Sequence, residues 1–252
     1  FSFFLSRDIL ARFAWQKYSR ADIALALVRR DVGLAMQIGN YYFGGTIGRS
    51  EYNLEKAERA YKKAVAADNK ILWGHYQLAR IYFVKENFDK AIEEINKELE
   101  FNPENLRSLY VRGLTYGYRN QAGDLKKAEA DFRRFTQWAP KEWAGYNDLA
   151  WILSKSGKYE EAKKTIELAF KEALEAKSNP WFWNSLGVAQ LNLKKYSGAA
   201  DSFKKAKELA EKLTLEEWRR SYPGNNPASA EEGLSAFLKA INENLRRAVD
   251  ND

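Results

Sequence analysis

The clearest pattern along the chain is a small residue followed one helical turn later by a large apolar one, with a third position completing the same face. The instances are Ala57-Tyr61-Ala64, Ala91-Ile95-Glu98, Ala128-Phe132-Phe135, Ala162-Ile166-Ala169 and Ala199-Phe203-Ala206. The third position is small in three of them, whereas Glu98 and Phe135 occupy it in the other two. Such spacings fall on one face of an α-helix, and a period of about 34 residues is typical of stacked helix pairs.

A second apolar stripe precedes each of these segments and predicts the first helix of each pair. Leu78 and Tyr82 precede Ala91, for example, and Leu186 and Gly187 precede Ala199. Small residues are needed where two helices cross closely, because a larger side chain would push the helices apart. The sequence therefore predicts a series of helical hairpins, each packed on its neighbours.

The last hairpin carries a recognisable motif. Trp183-x2-Leu186-Gly187, followed by Ala199 and Phe203, resembles the tetratricopeptide repeat, whose pattern is Trp-x2-Leu-Gly-x2-Tyr, then Ala-x3-Phe, then Pro. The resemblance covers roughly Asp31 to Glu211 in about five repeats. It implies an all-α fold, a right-handed α-solenoid of about five helix pairs with an N-terminal helical cap and a C-terminal capping helix.

Three regions are expected on this basis: an N-terminal helical cap over residues 1–30, the repeat array over 31–211, and a C-terminal helix, loop and capping helix over 212–252.

Several helix boundaries inside these regions can also be predicted. Ser19-Arg20-Ala21-Asp22 predicts a capping box that opens a helix running through Arg30, and Thr214 to Glu217 predicts another. The second helix of the fourth repeat is expected to run on through Phe170 and Leu174 towards Pro180. Phe43 to Ser50 is expected to form a longer loop in the first repeat, and Tyr222 to Pro227 another, before a last helix that is expected to open at Ser229. That helix carries an apolar stripe, made of Leu234, Phe237, Leu238, Ile241, Leu245 and Val249.

The start of the chain is apolar and then basic. Phe1-Ser2-Phe3-Phe4-Leu5 is too short to span a bilayer, which needs about 20 residues. These residues are either part of the capping helix or the end of a membrane anchor that precedes a basic juxtamembrane stretch. Both readings stay open, and a membrane or cell-envelope location is favoured over the cytoplasm.

The sequence gives little support for a catalytic function. The 252 residues contain no cysteine, which excludes disulfides and thiolate metal sites. The single histidine, His75, occupies a packing position, and Gly44 to Gly48 lacks the Lys-Ser/Thr that follows a nucleotide-binding loop. We therefore predict no enzyme and no catalytic, metal-binding or cofactor-binding residues.

The resemblance implies that the first helix of each pair lines a groove. The helical period gives the positions exposed there once the packed positions are fixed. They are Asn40, Trp73, Tyr76, Gln77, Arg80, Phe83, Arg107, Tyr110, Tyr118, Asn147, Trp151, Trp181 and Asn184, with Asp148 beside Asn147. Large rings bury much area at low entropic cost, and amides can hydrogen-bond an extended peptide. We predict a non-enzymatic scaffold that holds a peptide segment or helix of another protein in this groove.

Other interpretations remain open. The groove is filled by the chain itself if the N-terminal segment with Phe3, Phe4, Phe13 and Trp15, or the C-terminal helix, lies inside it. Rings beside Asn and Asp also suit sugars, which makes a polysaccharide-binding module one alternative. A structural subunit of a larger, membrane-associated assembly is another.

The net charge of +7 does little to alter the predicted function. Basic pairs such as Lys62-Lys63 and Arg133-Arg134 have acidic neighbours one turn away, as ordinary solvated helices do. An anionic membrane surface is a further candidate partner. Nucleic acid is disfavoured, because no motif that reads it is present.

Overall fold

The computed structural model describes residues 6–44, 51–220 and 230–252, and these are all-α, without a strand. The helices are α1 (Arg7–Tyr18), α2 (Ala21–Leu27), α3 (Val32–Tyr42), α4 (Leu54–Ala67), α5 (Gly74–Val84), α6 (Phe88–Phe101), α7 (Leu106–Arg119), α8 (Asp124–Trp138), α9 (Trp143–Lys155), α10 (Tyr159–Glu172), α11 (Pro180–Asn192), α12 (Tyr196–Ala210), α13 (Leu215–Arg220) and α14 (Ala230–Val249). Phe1 to Leu5, most of the predicted loop from Phe43 to Ser50, and the predicted loop and helix start between Tyr222 and Ser229 lie outside the described residues.

The chain divides into two compact units. The first contains the described residues up to Ser108, and the second contains those from Leu109 onward. In the first unit α1 packs against α2, α3 against α4, and α5 against both α4 and α6. In the second, α9 packs against α8 and α10, α11 against α10 and α12, and α14 against α12. Consecutive helices thus form the stacked pairs that the sequence pattern predicts.

The close helix crossings are visible at the glycine and aromatic positions of the motif. Gly187 of α11 lies against the ring of Phe203 on α12, and a Cβ added to Gly187 would be 2.6 Å from Phe203 Cε1. Gly113 and Phe132 make the same kind of contact. Because both rings are fully buried, a larger residue at either glycine would have to displace core atoms.

Side-chain caps fix several helix starts. The side chains of Asp31, Asn53 and Asn87 accept hydrogen bonds from the first turns of α3, α4 and α6. The capping box predicted at Thr214 is confirmed, because Glu217 N–H donates to Thr214 Oγ1 and Thr214 N–H donates to Glu217 Oε2.

The capping box predicted at Ser19 is wrong. Ser19 has a left-handed backbone with φ of 52° and ends α1, while Arg20 precedes α2 without a side-chain cap bond. The expected helix through Arg30 also stops early, at Leu27. The backbone N–H groups of Arg29 and Arg30 donate instead to the carboxylate of Asp8 on α1.

The expected run-on of the fourth repeat's second helix is wrong as well. The helix α10 ends at Glu172, and Ala173 has an extended backbone. A 3-10 helix over Leu174–Ser178 follows, and Asn179 then caps α11, whose first residue is Pro180. Proline begins a new helix here because its missing N–H is not needed at that position.

The C-terminal helix closes the second unit. Ile241 of α14 is fully buried in the apolar cluster that also contains Phe203 and Ala206, and Phe237, Leu238 and Leu245 pack against this cluster. Val249, the last member of the predicted stripe, is exposed. The helix therefore shields the outer face of the last hairpin, as terminal helices of repeat arrays do.

Candidate functional site

Polar groups on α3, α4 and α5 form a connected network in the first unit. Tyr61 Oη donates to Asn40 Oδ1 at 2.8 Å, and Gln77 Nε2 donates to the same oxygen at 3.4 Å. Arg80 Nη1 donates to Gln77 Oε1 at 3.0 Å. Three predicted groove residues, Asn40, Gln77 and Arg80, are thus brought together. We call this surface, with the neighbouring rings of Phe43 and Tyr76, the Asn40 face.

Aromatic rings surround the arginine of this face. The Arg80 guanidinium lies 4.6 Å from the ring centre of Phe43 and 5.7 Å from that of Tyr76. Trp73 packs edge-on against Tyr76, and the Arg107 guanidinium lies 5.7 Å from the Trp73 ring. Contacts of a cation with a ring face limit how far the guanidinium can move. These side chains therefore hold one another in fixed positions.

Tyr76 is less open than the sequence pattern suggests, with 8% of its surface exposed. Its ring is packed against Trp73 and lies beside Arg80. Glu98, a buried residue of α6, accepts from the backbone N–H of Trp73 at 3.1 Å and from that of Tyr76 at 3.2 Å. A carboxylate is stabilised at the N-terminus of a helix, and here it holds the start of α5 close to α6. Sequence reasoning missed this role, although Glu98 stood out where the motif expects a small residue.

Phe83, the remaining predicted residue of the first unit, is half-buried at the end of α5. Its ring packs at 6.0 Å from that of Phe88, the first residue of α6. It therefore contributes to the turn between α5 and α6.

In the second unit, polar side chains of α9 and α11 meet. Asn147 Nδ2 donates to Asp148 Oδ1 at 3.1 Å, and Ser185 Oγ donates to Asn147 Oδ1 at 3.1 Å. Tyr110 of α7 also hydrogen-bonds to Asp148. We call Tyr110, Asn147, Asp148 and Ser185 the Asp148 cluster.

The carboxyl group of Asp148 is electrostatically unusual. Burial raises its pKa to about 6, although the hydrogen bonds from Tyr110 and Asn147 act in the opposite direction. Asn184, the residue before Ser185 on α11, has a buried Oδ1 atom with no hydrogen-bond partner among the described residues.

Tyr118 and Trp151 pack on each other, with ring centres 5.1 Å apart. Tyr118 is exposed and Trp151 is half-buried. The Lys155 ammonium lies 5.1 Å from the Trp151 ring. These two predicted residues therefore form an aromatic patch on α7 and α9.

Trp181 is covered by the chain's own C-terminal region. Its ring stacks on Trp218 of α13 at 5.1 Å and on Phe237 of α14 at 5.6 Å. The alternative in which the C-terminal helix occupies the predicted surface thus applies at this position. The sequence named the C-terminal helix as a candidate occupant but could not place it at Trp181, because nothing in the helical period indicates where a helix after a long loop will return.

His75 is buried on α5 and serves packing and hydrogen bonding. Its Nδ1 atom lies 2.6 Å from Glu94 Oε2, and its Nε2 atom lies 3.0 Å from the Asn69 carbonyl oxygen. The hydrogen bond to Glu94 raises the pKa of the imidazole, because it favours the charged form. Within the described ranges no group of three His, Cys, Asp or Glu residues could hold a metal ion.

Comparison with known families gives the same architecture. Two models described as tetratricopeptide repeat match residues 147–213 and 74–105. The chain is a tetratricopeptide repeat protein. The repeat motif of α11 and α12 lies inside the first matched segment, and α5 and α6 lie inside the second.

Two curated relatives are similar to parts of this tetratricopeptide repeat protein. The BBSome complex member BBS4 of Bos taurus is 28% identical over 136 residues, which are 54% of this chain and 25% of that protein. The TPR repeat-containing protein MJ1428 of Methanocaldococcus jannaschii is 29% identical over 143 residues, 57% of this chain and 24% of that one. The chain thus spans about a quarter of the length of these relatives.

Among solved structures, this protein resembles YrrB, described as a TPR protein with an unusual peptide-binding site. The TM-score is 0.59 at 18% sequence identity, and the match covers 76% of this chain and 93% of that one. This likeness shows the shared fold. In the part of the chain that the structure describes, no helix is long and apolar enough to cross a membrane.

Proposed function

We propose that the protein is a scaffold that binds an extended segment of another protein along the Asn40 face. The observation that carries the proposal is the orientation of the Asn40 amide. Its Oδ1 atom is occupied by Tyr61 and Gln77. Its Nδ2 group has no acceptor among residues 6–44, 51–220 and 230–252, so that two N–H donors are left over for a ligand.

A polypeptide backbone supplies the acceptors that such donors need, because every residue carries a carbonyl oxygen. The rings of Phe43 and Tyr76 are 2% and 8% exposed, so they form the buried base on which Arg80 is held next to the donors. The Asn40 amide is already ordered by its two hydrogen bonds, which reduces the entropy lost on binding. The peptide-binding site described for YrrB and the complex membership of BBS4 agree with this kind of partner.

The variant Asn40→Asp tests the donors separately from the fold. Aspartate keeps an oxygen for Tyr61 and Gln77 but places a carboxylate oxygen where the amide donors were. Short peptides selected from a phage-displayed random library serve as ligands, and calorimetry measures their affinity. We expect a loss of about 10- to 100-fold in affinity, because a hydrogen-bond donor is replaced by an acceptor that repels the peptide carbonyl.

Asn96→Asp is the matched control, because Asn96 is an exposed asparagine on α6, a second helix of the same unit. It should leave peptide affinity unchanged. Selected peptides that bind Asn40→Asp as tightly as the native protein would reject the Asn40 face as the binding surface.

A second function, attachment to anionic membrane surfaces through α1, is favoured by the exposure of its apolar residues. Ile9, Leu10, Phe13 and Tyr18 are 52%, 39%, 50% and 58% exposed. Lys17 lies above the rings of Phe13 and Tyr18, at 5.2 and 5.9 Å from their centres. Apolar residues interspersed with basic ones are typical of helices that lie in a membrane interface.

We expect the protein to sediment with vesicles containing phosphatidylserine and not with phosphatidylcholine vesicles. The double variant Ile9→Ser/Phe13→Ser should weaken this binding about tenfold or more, since it removes apolar area that the bilayer would bury. Leu168→Ser, on the exposed side of α10, is the control and should have no effect. Equal sedimentation of the double variant, or no binding to the anionic vesicles, would contradict attachment through α1.

A further inference from the structure

The ring of His75 has a hydrogen-bond acceptor at each of its two nitrogens. Its Nδ1 atom lies 2.6 Å from Glu94 Oε2 on α6. Its Nε2 atom lies 3.0 Å from the backbone carbonyl oxygen of Asn69, in the turn before α5, and 3.2 Å from Asn69 Oδ1. The side chain of His75 is 4% exposed, so the ring depends on these protein partners. Both ring nitrogens therefore need a proton to make these contacts as hydrogen bonds.

A neutral imidazole cannot make both contacts, because only one of its nitrogens carries a proton. With the proton on Nε2, the lone pair of Nδ1 would face the Glu94 carboxylate. With the proton on Nδ1, the lone pair of Nε2 would face the Asn69 carbonyl oxygen, which has no proton to donate however the side-chain amide of Asn69 is turned. Glu94 is held as a carboxylate, because its other oxygen, Oε1, accepts from Lys97 Nζ at 2.9 Å. The geometry thus favours the imidazolium form of His75, paired with Glu94.

These contacts hold a strained helix start. His75 is the second residue of α5, and its partners lie in the preceding turn and in the middle of α6. The N-cap residue of α5, Trp73, has a left-handed backbone with φ of 71° and no side-chain cap bond. A non-glycine residue keeps such a conformation only when its surroundings enforce it. Glu98 does so by accepting from the backbone N–H of Trp73, and His75 does so by joining the turn to α6.

Other charged groups near the ring partly oppose its charge. Lys97, one turn after Glu94, disfavours the imidazolium, but it is itself paired with two glutamates of α6. Lys70 in the turn lies over the ring of Phe101, whose centre is 6.4 Å from that of His75. The pKa of His75 is raised above the ordinary 6.5, chiefly by the hydrogen bond to Glu94. The carboxylate therefore outweighs the opposing charge and the burial of the ring.

We propose that His75 is a buried imidazolium that fastens the turn before α5 to α6 and releases it at alkaline pH. Loss of the proton breaks one of the two contacts, whichever tautomer remains. Because the folded state binds this proton more tightly than the unfolded state does, the stabilisation is complete below about pH 6.5 and is lost as the pH rises through the raised pKa. The hairpin of α5 and α6 is thus a pH-sensitive element, and its response does not depend on the proposed peptide binding.

An NMR titration of the intact protein tests the charge of the ring directly. His75 is the only histidine of the 252 residues, so its imidazole nitrogen-15 signals are unambiguous. At about pH 6.5, where an ordinary histidine is half neutral, we expect both ring nitrogens to show mainly the shifts of an imidazolium, with a titration midpoint above that pH. A midpoint at or below about 6.5 would overturn the proposal.

Glu94→Gln and Glu93→Gln form a matched pair of variants. Both glutamates lie on α6 and contact Lys97, whereas it is Glu94 that contacts His75. Glutamine at position 94 keeps the size and removes the charge, and its amide donates to a neutral ring nitrogen. We expect the midpoint to fall below about 6.5 in Glu94→Gln, because burial then disfavours the charged ring, and to stay close to the native value in Glu93→Gln. Equal midpoints in the native protein and Glu94→Gln, or equal falls in the two variants, would contradict the proposal.

Hydrogen exchange measures the release of α5 itself. The backbone N–H of Gln77 donates to the Trp73 carbonyl oxygen at 3.0 Å, across the first turn of α5. After correction for the intrinsic pH dependence of exchange, the protection of this N–H should fall in the native protein between about pH 6 and about pH 9. The expected loss is up to tenfold for each unit by which the midpoint exceeds about 6.5. In Glu94→Gln the protection should not depend on pH. Constant protection in the native protein, or an equal loss in Glu94→Gln, would show that the charge of His75 does not hold the start of α5 and would overturn the proposal.

Discussion

Replacing Phe203 with alanine is expected to lower the free energy of unfolding of the second unit by about 3–5 kcal/mol. The ring of Phe203 has 0% exposure and packs in the cluster with Ala206 and Ile241. Removing the ring loses the free energy gained by transferring it from water into the core. It also leaves a cavity, which costs further stability. Chemical denaturation followed by circular dichroism measures the change. Phe101→Ala is the control, because that ring is 42% exposed and should cost much less.

The contact between Phe203 and Gly187 allows a second test of the same packing, in which the two residues are replaced separately and together. In the native protein, Gly187→Ala should destabilise, because the new Cβ would meet the Phe203 ring at 2.6 Å. In the Phe203→Ala background the obstruction is gone, and alanine is favoured over glycine in a helix by about 1 kcal/mol. The sign of the Gly187→Ala effect should therefore reverse between the two backgrounds. The same sign in both would contradict the proposed crossing of α11 and α12.

Replacing Asp148 with asparagine is expected to raise stability above neutral pH. The pKa of Asp148 is raised from 3.8 to about 6 in the folded protein, so the folded state holds the proton more tightly than the unfolded state. Stability therefore falls as the pH rises from about 4 to about 6, and the loss persists above that range. The shift of about two units corresponds to about 3 kcal/mol, which sets the upper limit of the gain.

We expect Asp148→Asn to stabilise the protein by about 1–3 kcal/mol at about pH 8 and to change little below about pH 4, where Asp148 is neutral in both states. Asp201→Asn on the exposed side of α12 is the matched control and should have little effect at either pH. Denaturation curves at both pH values provide the measurement. A variant less stable than the native protein at about pH 8 would mean that the Asp148 charge is already compensated.

The repeated hairpins could be predicted from the sequence because their determinants are local and periodic. Gly187 and Phe203 indicate a close helix crossing by their size and spacing alone, and the crossing is present. The capping box at Thr214 is equally local and was predicted for the same reason. The similar pattern at Ser19 failed because Ser19 takes a left-handed backbone and ends α1. The helix that follows stops at Leu27, and Asp8, far away in sequence, accepts from the backbone N–H groups beyond it.

The properties of the candidate surfaces depend on contacts that no local pattern contains. Glu98 of α6 accepts from the backbone N–H groups of Trp73 and Tyr76 at the start of the neighbouring helix. Trp181 is covered by residues that follow it by 37 and 56 positions, namely Trp218 and Phe237. The helical period placed Asp148 on the first-helix face, but its shifted pKa arises from burial beneath its neighbours. The helical period thus predicts which residues lie on one face of each first helix. Tertiary packing determines which of those residues are exposed to a ligand.

The central claim, that the Asn40 face binds a polypeptide backbone, is tested most directly by the NMR signals of the side-chain amides. A selected peptide carrying a spin label is added to the protein labelled with nitrogen-15. The account predicts that the Asn40 and Gln77 side-chain amide signals shift and broaden on binding, while that of Asn96 on α6 stays unchanged. Broadening of the Asn96 signal with unaltered Asn40 and Gln77 signals would place the peptide on the second helices and contradict the account.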